Sequence, residues 1–244
     1  FALANRLVLG KLRAALGENL RFMVSGSAPM PLWLLERFHA IGLPVLEAYG
    51  VSENIIPMAI NRPDCFRFGS VGRATPGSEL KLAADGELLV RGQGVFSGYL
   101  GDDPSASPLD GDGFLGTGDF ASIDADGFVT LIGRKSEIFK TSTGRRIAPN
   151  GIESRLQQVP QLEHVVVLGA RRSQPVALLV VGEMAWQAGM HDSFADLRQQ
   201  VVAASAALPA YQRPAGLMVT VQALTIDGGE LTSNLKLRRH VIEA

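Results

Sequence analysis

The chain has 244 residues, 46% of them hydrophobic, which is enough to bury one large core or two modest ones and excludes a disordered tail. Its 23 Lys and Arg residues nearly balance its 24 Asp and Glu residues, and no block of like charge stands out, so we expect no nucleic-acid partner. The single cysteine, Cys65, excludes an internal disulfide framework and favours a reducing, cytoplasmic compartment.

The apolar runs are typical of buried strands. The longest, 165–168 and 175–181, are far shorter than the roughly 20 residues of a membrane-spanning helix, so no transmembrane segment is predicted. The chain opens on Phe1 and enters an amphipathic pattern at once, without a secretory signal. We therefore expect it to be part of a longer protein whose amino-terminal portion is missing.

The first quarter of the chain predicts an α/β unit. Its expected elements are a helix over 3–16, a strand over 20–24, a helix over 32–41 and a strand over 44–48. Gly17 marks the end of the first helix. Ligands of such units bind at loops beyond the carboxyl ends of the strands, which are here the loops 26–29 and 49–53.

Short β segments separated by glycines come next. Strands are predicted over 70–73, 79–82, 86–91, 120–124 and 127–133. The pairs Asp85-Gly86 and Asp126-Gly127 signal hairpin turns, and the polar stretch 102–113 is typical of a surface loop. Together these segments predict a compact β subdomain that resembles a distorted barrel.

The chain after Arg134 predicts a second domain. Its expected elements are a helix over 151–158, a hairpin of strands 164–170 and 176–182, and a helix over 192–208 capped by Asp192. The predicted fold class is α/β. A large domain, 1–133, comprises the end of an α/β subdomain (1–65) and a β-barrel-like subdomain (66–133), and a small α+β domain, 134–244, follows it.

The loop after the second predicted strand combines an aromatic ring, a glycine, a hydroxyl and a carboxylate. The ring of Tyr49 can stack on a base, the Ser52 hydroxyl can donate to a phosphate oxygen, and Glu53 can bind Mg²⁺. The string is short, and a polar loop with no ligand is its alternative interpretation.

A second carboxylate, in Thr117-Gly118-Asp119, stands just before a predicted strand. An ionised Asp can accept hydrogen bonds from both hydroxyls of a ribose, each contributing roughly 1.5 to 3 kcal/mol. A turn-forming Asp is the alternative. The Arg134 guanidinium, after Gly133, stands at the expected domain junction, where it is equally compatible with a plain surface position.

The small domain carries two further polar segments. One is the small-residue stretch 140–144, which suits a loop. The other, 228–239, predicts a glycine-rich hairpin tip followed by a basic run that contains Lys236. A solvated lysine and an ordinary surface loop are the alternatives at these two places.

Taken together and in order, these strings resemble the superfamily of acyl-CoA synthetases, luciferases and peptide-synthetase adenylation domains. The closest likeness is to its long-chain fatty acyl-CoA synthetase branch, over essentially the whole chain. The matching strings are Gly26-Ser27-Ala28-Pro29, Tyr49-Gly50-Val51-Ser52-Glu53, Pro76-Gly77, Gly86-Glu87-Leu88-Leu89-Val90-Arg91-Gly92, Gly98-Tyr99, Thr117-Gly118-Asp119, Gly133-Arg134, Tyr211-Gln212-Arg213-Pro214 and Leu235-Lys236-Leu237-Arg238.

The resemblance implies a binding site for ATP and AMP. By this resemblance the 26–28 loop flanks the adenine and Tyr49 stacks on it. Ser52 contacts the phosphate, and Glu53 binds Mg²⁺. Asp119 binds the ribose together with Arg134. The residues implied for nucleotide binding are Gly26, Ser27, Ala28, Glu47, Ala48, Tyr49, Gly50, Ser52, Asp119, Arg134 and Arg145.

The resemblance also implies a reaction in two steps. A fatty acid and ATP would give acyl-adenylate and pyrophosphate, with Lys236, Ser52 and Glu53 as the catalytic residues. The small domain would then rotate as a lid about a hinge at Ser136. That rotation would present the coenzyme A site, formed by Lys140, Ser142 and Gly144, so that acyl-CoA and AMP are formed.

Three departures from the family pattern change these expectations. The hinge position, usually Asp or Lys, is Ser136, which can alter the domain rotation. The residue before Tyr49, usually Gly, is Ala48, whose methyl group can narrow the path to the acyl pocket. The family's earlier phosphate loop, rich in Ser, Thr and Gly and containing Lys, is absent, so we expect this chain alone to be inactive.

Two alternatives stay open at this point. An acyl-adenylate ligase that delivers its product to a carrier protein or another acceptor would need the same adenylation residues. A nucleotide-binding sensor module that has lost catalysis is an alternative of another class. The joint presence of Glu53, Asp119 and Lys236 argues against the sensor, because a module without catalysis has no need of all three groups.

Overall fold

A short helix opens the described part of the chain and is followed by two parallel strands that a second helix joins. The structure is a computed structural model that describes residues 8–17, 19–101, 103, 107–187 and 194–243, without the side chains of 184 and 185. It divides the chain into two units, Phe1–Lys135 and Ser136–Ala244. The boundary predicted from the sequence, between 133 and 134, lies two residues earlier.

The first unit begins with the predicted α/β arrangement. Its elements are α1 (Gly10–Leu16), β1 (Met23–Ser25), α2 (Leu32–Ala40), β2 (Val45–Tyr49), β3 (Ala59–Ile60) and β4 (Arg73–Ala74). β1 and β2 run parallel, because α2 carries the chain back between them, and β3 and β4 extend the sheet antiparallel. α1 ends at Gly17 as predicted, whereas the part of that helix predicted over 3–7 lies outside the described residues.

A second sheet in this unit is a meander of four antiparallel strands. They are β5 (Ser78–Leu82), β6 (Glu87–Gly92), β7 (Leu115–Ile123) and β8 (Val129–Arg134). The hairpin signals Asp85-Gly86 and Asp126-Gly127 lie at the β5–β6 and β7–β8 turns, so both predictions are confirmed. The strand predicted over 70–73 is wrong in position, because β4 begins only at Arg73.

The core of the first unit lies between these two sheets. Side chains from both contribute: Tyr49, Met58, Ala59, Leu88, Val90, Leu115, Ala121 and Val129. Along β7 every second residue from Leu115 to Ala121 is buried, as expected for a strand with one face on the core. This packing fixes the end of β2, which carries Tyr49, and the middle of β7, which carries Asp119.

The second unit is a three-stranded sheet covered by helices. Its elements are β9 (Phe139–Lys140), β10 (Arg146–Ile147), α3 (Pro149–Leu156), β11 (Leu162–Leu168), β12 (Val176–Val181), α4 (Glu183–Gln187), α5 (Phe194–Ser205), a 3₁₀ turn (Ala210–Gln212), β13 (Gly216–Thr220) and α6 (Arg239–Ile242). β9 pairs with β10, and β12 lies between antiparallel β11 and parallel β13. We did not predict β13, whose five residues are too few for a distinctive period.

The core of this unit consists of alternate residues of its strands and of helix residues spaced four positions apart. β12 directs Ala177, Leu179 and Val181 to one side, while α3 and α5 each present apolar residues four positions apart. Burying a side chain of this size contributes about 1.5 to 3 kcal/mol. The predicted hairpin of 164–170 and 176–182 is confirmed, and the predicted cap Asp192 lies outside the described residues.

Gly72 is the position in the first unit where an added methyl group should be least tolerated. Its φ is +91°, and a Cβ there would collide with the backbone of Ile60 and Asn61. Gly69 has a similar φ of +77° but no atom within 4 Å of its hypothetical Cβ. Gly69→Ala is therefore the matched control, since it tests the left-handed backbone alone.

We expect Gly69→Ala to cost about 1 to 2 kcal/mol and Gly72→Ala distinctly more, because only the second adds a backbone collision to the strain. Thermal unfolding of the two variants beside the parent chain measures the difference. Equal unfolding midpoints for the two variants would contradict the close packing of Gly72 against β3.

Candidate functional site

An open pocket of about 330 Å³ lies at the carboxyl ends of β1 and β2. The two strands are parallel, with Ser25 opposite Glu47, so the loops that follow them leave the sheet at the same edge. The lining residues are Gly26, Ser27, Ala48, Tyr49, Gly50, Val51, Ser52, Asn54, Ile55, Ile56 and Pro57. Six of the residues predicted to bind nucleotide are therefore in one pocket.

The first wall of the pocket is the loop after β1. A Cβ on Gly26 would lie 3.2 Å from the Ala48 carbonyl oxygen, which is tighter than most such contacts, so glycine suits the close approach of the two strand ends. Ser27 has a φ of +67°, an uncommon conformation for a residue with a side chain. Ala28 is exposed in the same loop but does not line the pocket.

Glu47 supports this loop from behind. Its carboxylate is buried, at 8% exposed, and its Oε1 accepts the backbone N–H of Met30 at 3.3 Å. Burial raises the pKa of Glu47, and the hydrogen bond from Met30 only partly offsets that rise. Glu47 does not line the pocket, so the structure gives it a supporting position beside the predicted binding residues.

Tyr49 connects the pocket to the second sheet. Its ring is buried in the core at 8% exposed, and its hydroxyl donates to Oδ2 of Asp119. Burial raises the pKa of Tyr49, and the Asp119 carboxylate raises it further, so the phenol stays protonated and keeps donating. Tyr49 is also one of the residues that line the pocket.

Asp119 is held from its other side by Arg134. The two residues pair across β7 and β8, and Nε of Arg134 lies 3.1 Å from Oδ1 of Asp119. Nη1 of Arg134 also donates to the Thr117 carbonyl at 3.1 Å. Asp119 is 5% exposed, and these partners supply the hydrogen bonds that a buried carboxylate requires.

The prediction that Asp119 stands just before a strand is wrong. β7 begins at Leu115, so Thr117-Gly118-Asp119 lies inside the strand, next to an irregularity in its pairing with β8 at Phe120. Thr117 and Asp119 both face inward, and the Thr117 hydroxyl donates to the Leu88 carbonyl at 2.8 Å. Because these inward positions hold polar side chains, the sequence does not show the alternation of apolar and polar residues by which a strand is predicted.

Glu53 presents an ionised carboxylate beside the pocket. Its Oε1 accepts the Tyr99 hydroxyl at 2.6 Å, and the Tyr99 ring packs edge-on against Phe96 with 4.7 Å between ring centroids. The hydrogen bond from Tyr99 lowers the pKa of Glu53. We did not predict this role for Tyr99, whose only signal in the sequence is the Gly98-Tyr99 pair. Ser52 is exposed in the same loop.

A complete metal site is not preformed in the described part of the chain, where no group of three His, Cys, Asp or Glu side chains converges. Mg²⁺ usually keeps several waters and takes only one or two carboxylates together with substrate phosphates. The single carboxylate of Glu53 fits that mode.

The other predicted residues belong to the second unit. The β9–β10 hairpin contains Lys140, Ser142, Gly144 and Arg145. A hydrogen bond from the Thr141 N–H to the Arg145 carbonyl, 2.9 Å long, closes this hairpin. Gly144 has a φ of +80°, as this turn requires. The Arg145 guanidinium packs over the Tyr211 ring, 5.4 Å from its centroid, which is a contact within the second unit.

Lys236 lies in a tight loop of the same unit. Leu231 and Leu237 pair across it, and the Thr232 N–H donates to the Lys236 carbonyl at 2.8 Å. The predicted turn at the glycine pair is confirmed, because the Gly229 N–H donates to the Ile226 carbonyl and the Leu231 N–H to the Thr225 carbonyl, both at 3.0 Å. A second reversal, at 232–236, carries Lys236. The Lys236 side chain is exposed.

Ser136, the predicted hinge, is the first residue of the second unit. Its neighbour Lys135 is anchored to the first unit, with Nζ 2.8 Å from Asp85 and 2.7 Å from Glu87. The Glu87 carboxylate also accepts the N–H of Gly118 at 2.9 Å, beside Asp119. The last residue of the first unit is therefore tied to the strand that carries Asp119.

Tyr99→Phe should raise the pKa of Glu53, because it removes the hydrogen bond that favours the ionised form. In the parent chain Glu53 should therefore stay ionised to a lower pH than an ordinary glutamate. Titration of the Glu53 carboxyl carbon by NMR measures both values. Tyr211→Phe, which removes a tyrosine hydroxyl in the second unit, should leave that titration unchanged. An unshifted titration in Tyr99→Phe would contradict the hydrogen bond.

No helix in the described residues combines the length and the apolar character that crossing a bilayer requires.

Comparison with known proteins identifies the family. The model described as "AMP-binding enzyme" matches residues 2–100, and that described as "AMP-binding enzyme C-terminal domain" matches residues 137–244. Long-chain-fatty-acid--CoA ligase FadD15 of Mycobacterium bovis is 36% identical over 258 residues, which cover 99% of this chain and 43% of that relative. Long-chain-fatty-acid--CoA ligase 5 of Rattus norvegicus is 31% identical over 269 residues, covering 98% of this chain and 39% of the relative. The chain thus spans less than half the length of these relatives.

Solved structures show the same fold. The o-succinylbenzoate CoA synthetase MenE from Bacillus subtilis, in complex with the acyl-adenylate intermediate OSB-AMP, matches with a TM-score of 0.76 and 26% identity over 97% of this chain and 49% of its own. The anthranilate CoA ligase AuaEII, in complex with anthranoyl-AMP, matches with a TM-score of 0.75 and 26% identity over 91% of this chain and 44% of its own. With a family model matched to each of its two units and these ligases sharing its fold, the chain belongs to the AMP-binding enzyme family.

Proposed function

We propose that this chain is part of an ATP-dependent acid-thiol ligase, in which it supplies the adenosine-binding wall and the lid. The observation that carries the proposal is the hydrogen-bonded Tyr49–Asp119–Arg134 group, of which Tyr49 lines the pocket. An aromatic ring, a carboxylate and a guanidinium are groups suited to the base and the two ribose hydroxyls of a nucleoside.

The nucleotide would occupy the pocket at the ends of β1 and β2. The base would lie between the 26–28 loop and Tyr49, and Ser52 would donate to a phosphate oxygen. A carboxylate has about four acceptor sites, so Asp119 can accept ribose hydroxyls while it keeps Tyr49 and Arg134. Glu53, whose lowered pKa keeps it ionised, would hold Mg²⁺, which neutralises phosphate charge when bound.

The first half-reaction would form the acyl-adenylate. A carboxylate oxygen of the acid attacks the α-phosphorus of ATP, and the bond to pyrophosphate breaks. Lys236 would offset the negative charge that builds up between the two reactants. The step makes chemical sense because a carboxylate is a poor electrophile, whereas an acyl-adenylate has a good leaving group.

The second half-reaction would transfer the acyl group to coenzyme A. The thiol sulfur attacks the acyl carbon, AMP leaves, and the thiol proton passes to solvent. The β9–β10 hairpin, with Lys140, Ser142 and Gly144, is the proposed thiol-side surface, reached by rotation at Ser136. Arg145 would assist the nucleotide from the same hairpin.

The acid is proposed to be a medium- or long-chain fatty acid. The support is the similarity to long-chain-fatty-acid--CoA ligases from Mycobacterium bovis and Rattus norvegicus. Delivery to a carrier protein is the alternative, since it would use the same adenylation residues. A cytoplasmic location is likewise a proposal, supported by the single thiol of Cys65.

The complete protein should release pyrophosphate when ATP, Mg²⁺ and a fatty acid are supplied, with the highest rate at medium or long chain length. The 244-residue chain alone should release none, because it spans less than half the length of these relatives and does not contain the phosphate loop that the family resemblance implies. A panel of acids of rising chain length measures this, and added coenzyme A tests the acceptor. Failure with every acid would favour the sensor alternative, and turnover by the chain alone would contradict its proposed dependence on the missing portion.

Lys236→Ala should slow acyl-adenylate formation about 100- to 1,000-fold, the usual cost of one electrostatic donor to a developing charge. Formation of acyl-CoA from supplied acyl-adenylate should stay close to the parent rate, because Lys236 acts only in the first half-reaction. Arg238→Ala, an exposed cation two residues along, is the control. Equal losses in both half-reactions would contradict the role assigned to Lys236.

A further inference from the structure

The second unit contains a buried ion pair between Arg239, on α6, and Glu153, on α3. Nη1 and Nη2 of Arg239 each donate to one carboxylate oxygen of Glu153, both at 2.6 Å. The two side chains are only 15% and 11% exposed. A guanidinium and a carboxylate joined by two parallel hydrogen bonds fix direction as well as distance.

The pair is the centre of a wider network. Nη2 of Arg239 also donates to Oδ1 of Asn150 at 3.1 Å, and Oε1 of Glu153 accepts the Val167 N–H at 2.6 Å. Burial alone would lower the pKa of Arg239, but the hydrogen bonds and charge of Glu153 outweigh it and raise that pKa. A permanently charged guanidinium thus attaches α6 to α3 and, at Val167, to the end of β11.

The loop that carries Lys236 leads directly into this attachment. Its two arms meet at the Leu231–Leu237 pair, and the Lys236 N–H donates to Oγ1 of Thr232 at 3.0 Å. α6 follows at once and has only four residues, far fewer than a helix needs to be stable by itself. The direction in which the outgoing arm leaves the loop therefore depends on where Arg239 is held.

We propose that the Arg239–Glu153 pair positions Lys236 for the adenylation half-reaction. Arg239 acts through the backbone that it anchors and touches no reacting atom. The inference rests on the proposed function, in which Lys236 serves the first half-reaction and the β9–β10 hairpin serves the second. A device that positions Lys236 should therefore matter to one half-reaction only.

The test uses the complete enzyme and measures the two half-reactions separately. Arg239→Lys keeps the charge but cannot make two parallel hydrogen bonds to one carboxylate. We expect acid-dependent pyrophosphate release to fall about 100-fold, the scale of loss when a reacting group is displaced by about 1 Å. The rate of acyl-CoA formation from supplied acyl-adenylate should stay close to that of the parent enzyme.

Two further variants serve as a milder test and as a control. Asn150→Ala removes only the hydrogen bond to Nη2 and should cause a smaller loss in the same half-reaction, so the test is still available if Arg239→Lys does not fold. Arg238→Ala changes the exposed neighbour and should leave both half-reactions unchanged. Hydrogen exchange adds a readout independent of activity, since the Thr232 and Lys236 amides should exchange faster in Arg239→Lys than in Arg238→Ala.

Equal losses in both half-reactions would overturn the inference, because they would make the pair a general support of the fold. Unchanged adenylation in Arg239→Lys, in an active parent, would overturn it as well and leave the proposed function intact. A parent enzyme that releases no pyrophosphate with any acid would instead refute the proposed function, and this inference with it.

Discussion

A buried carboxylate, that of Asp119, holds the site of the first unit together. Tyr49 reaches it from the end of β2 and Arg134 reaches it from β8, so one side chain links the two sheets. Removing a charged group from water is costly unless hydrogen bonds replace the lost solvation, and these two residues supply them. The place where the 49–53 loop starts is therefore set relative to β7 and β8.

The second unit depends on a buried charge of the opposite sign. Arg239 is enclosed by Glu153 and Asn150, and the loop that carries Lys236 leads into it. In the first unit a carboxylate hydrogen-bonded by two partners lies next to the start of the 49–53 loop, and in the second unit both Nη atoms of the Arg239 guanidinium are hydrogen-bonded beside the Lys236 loop. Such networks stabilise one arrangement strongly because an unpaired member would be costly in a low dielectric, and that rigidity suits residues whose task is to hold reactive groups in place.

Several contacts within these networks could not be read from the amino-acid order. Tyr99 lies 46 residues from Glu53, and Glu153 lies 86 residues from Arg239, so neither partner has a local pattern that reveals it. Thr117 and Asp119 occupy inward positions of β7, where polar residues break the expected alternation. β13 is a strand because β12 pairs with it, which is a property of the sheet and not of five apolar residues.

The sequence by itself determined the family, the α/β unit, the hairpins and most of the residues at the pocket, because glycine turns, hairpin signals and ordered motifs are local features. The pocket brings together residues from two loops because parallel β1 and β2 end at one edge. Only the tertiary structure decided that Tyr49 is hydrogen-bonded to Asp119, that Glu47 accepts a hydrogen bond from the loop at Met30, and that Arg239 is paired with Glu153. These are contacts between distant segments, and packing and the requirement to pair buried charges select them.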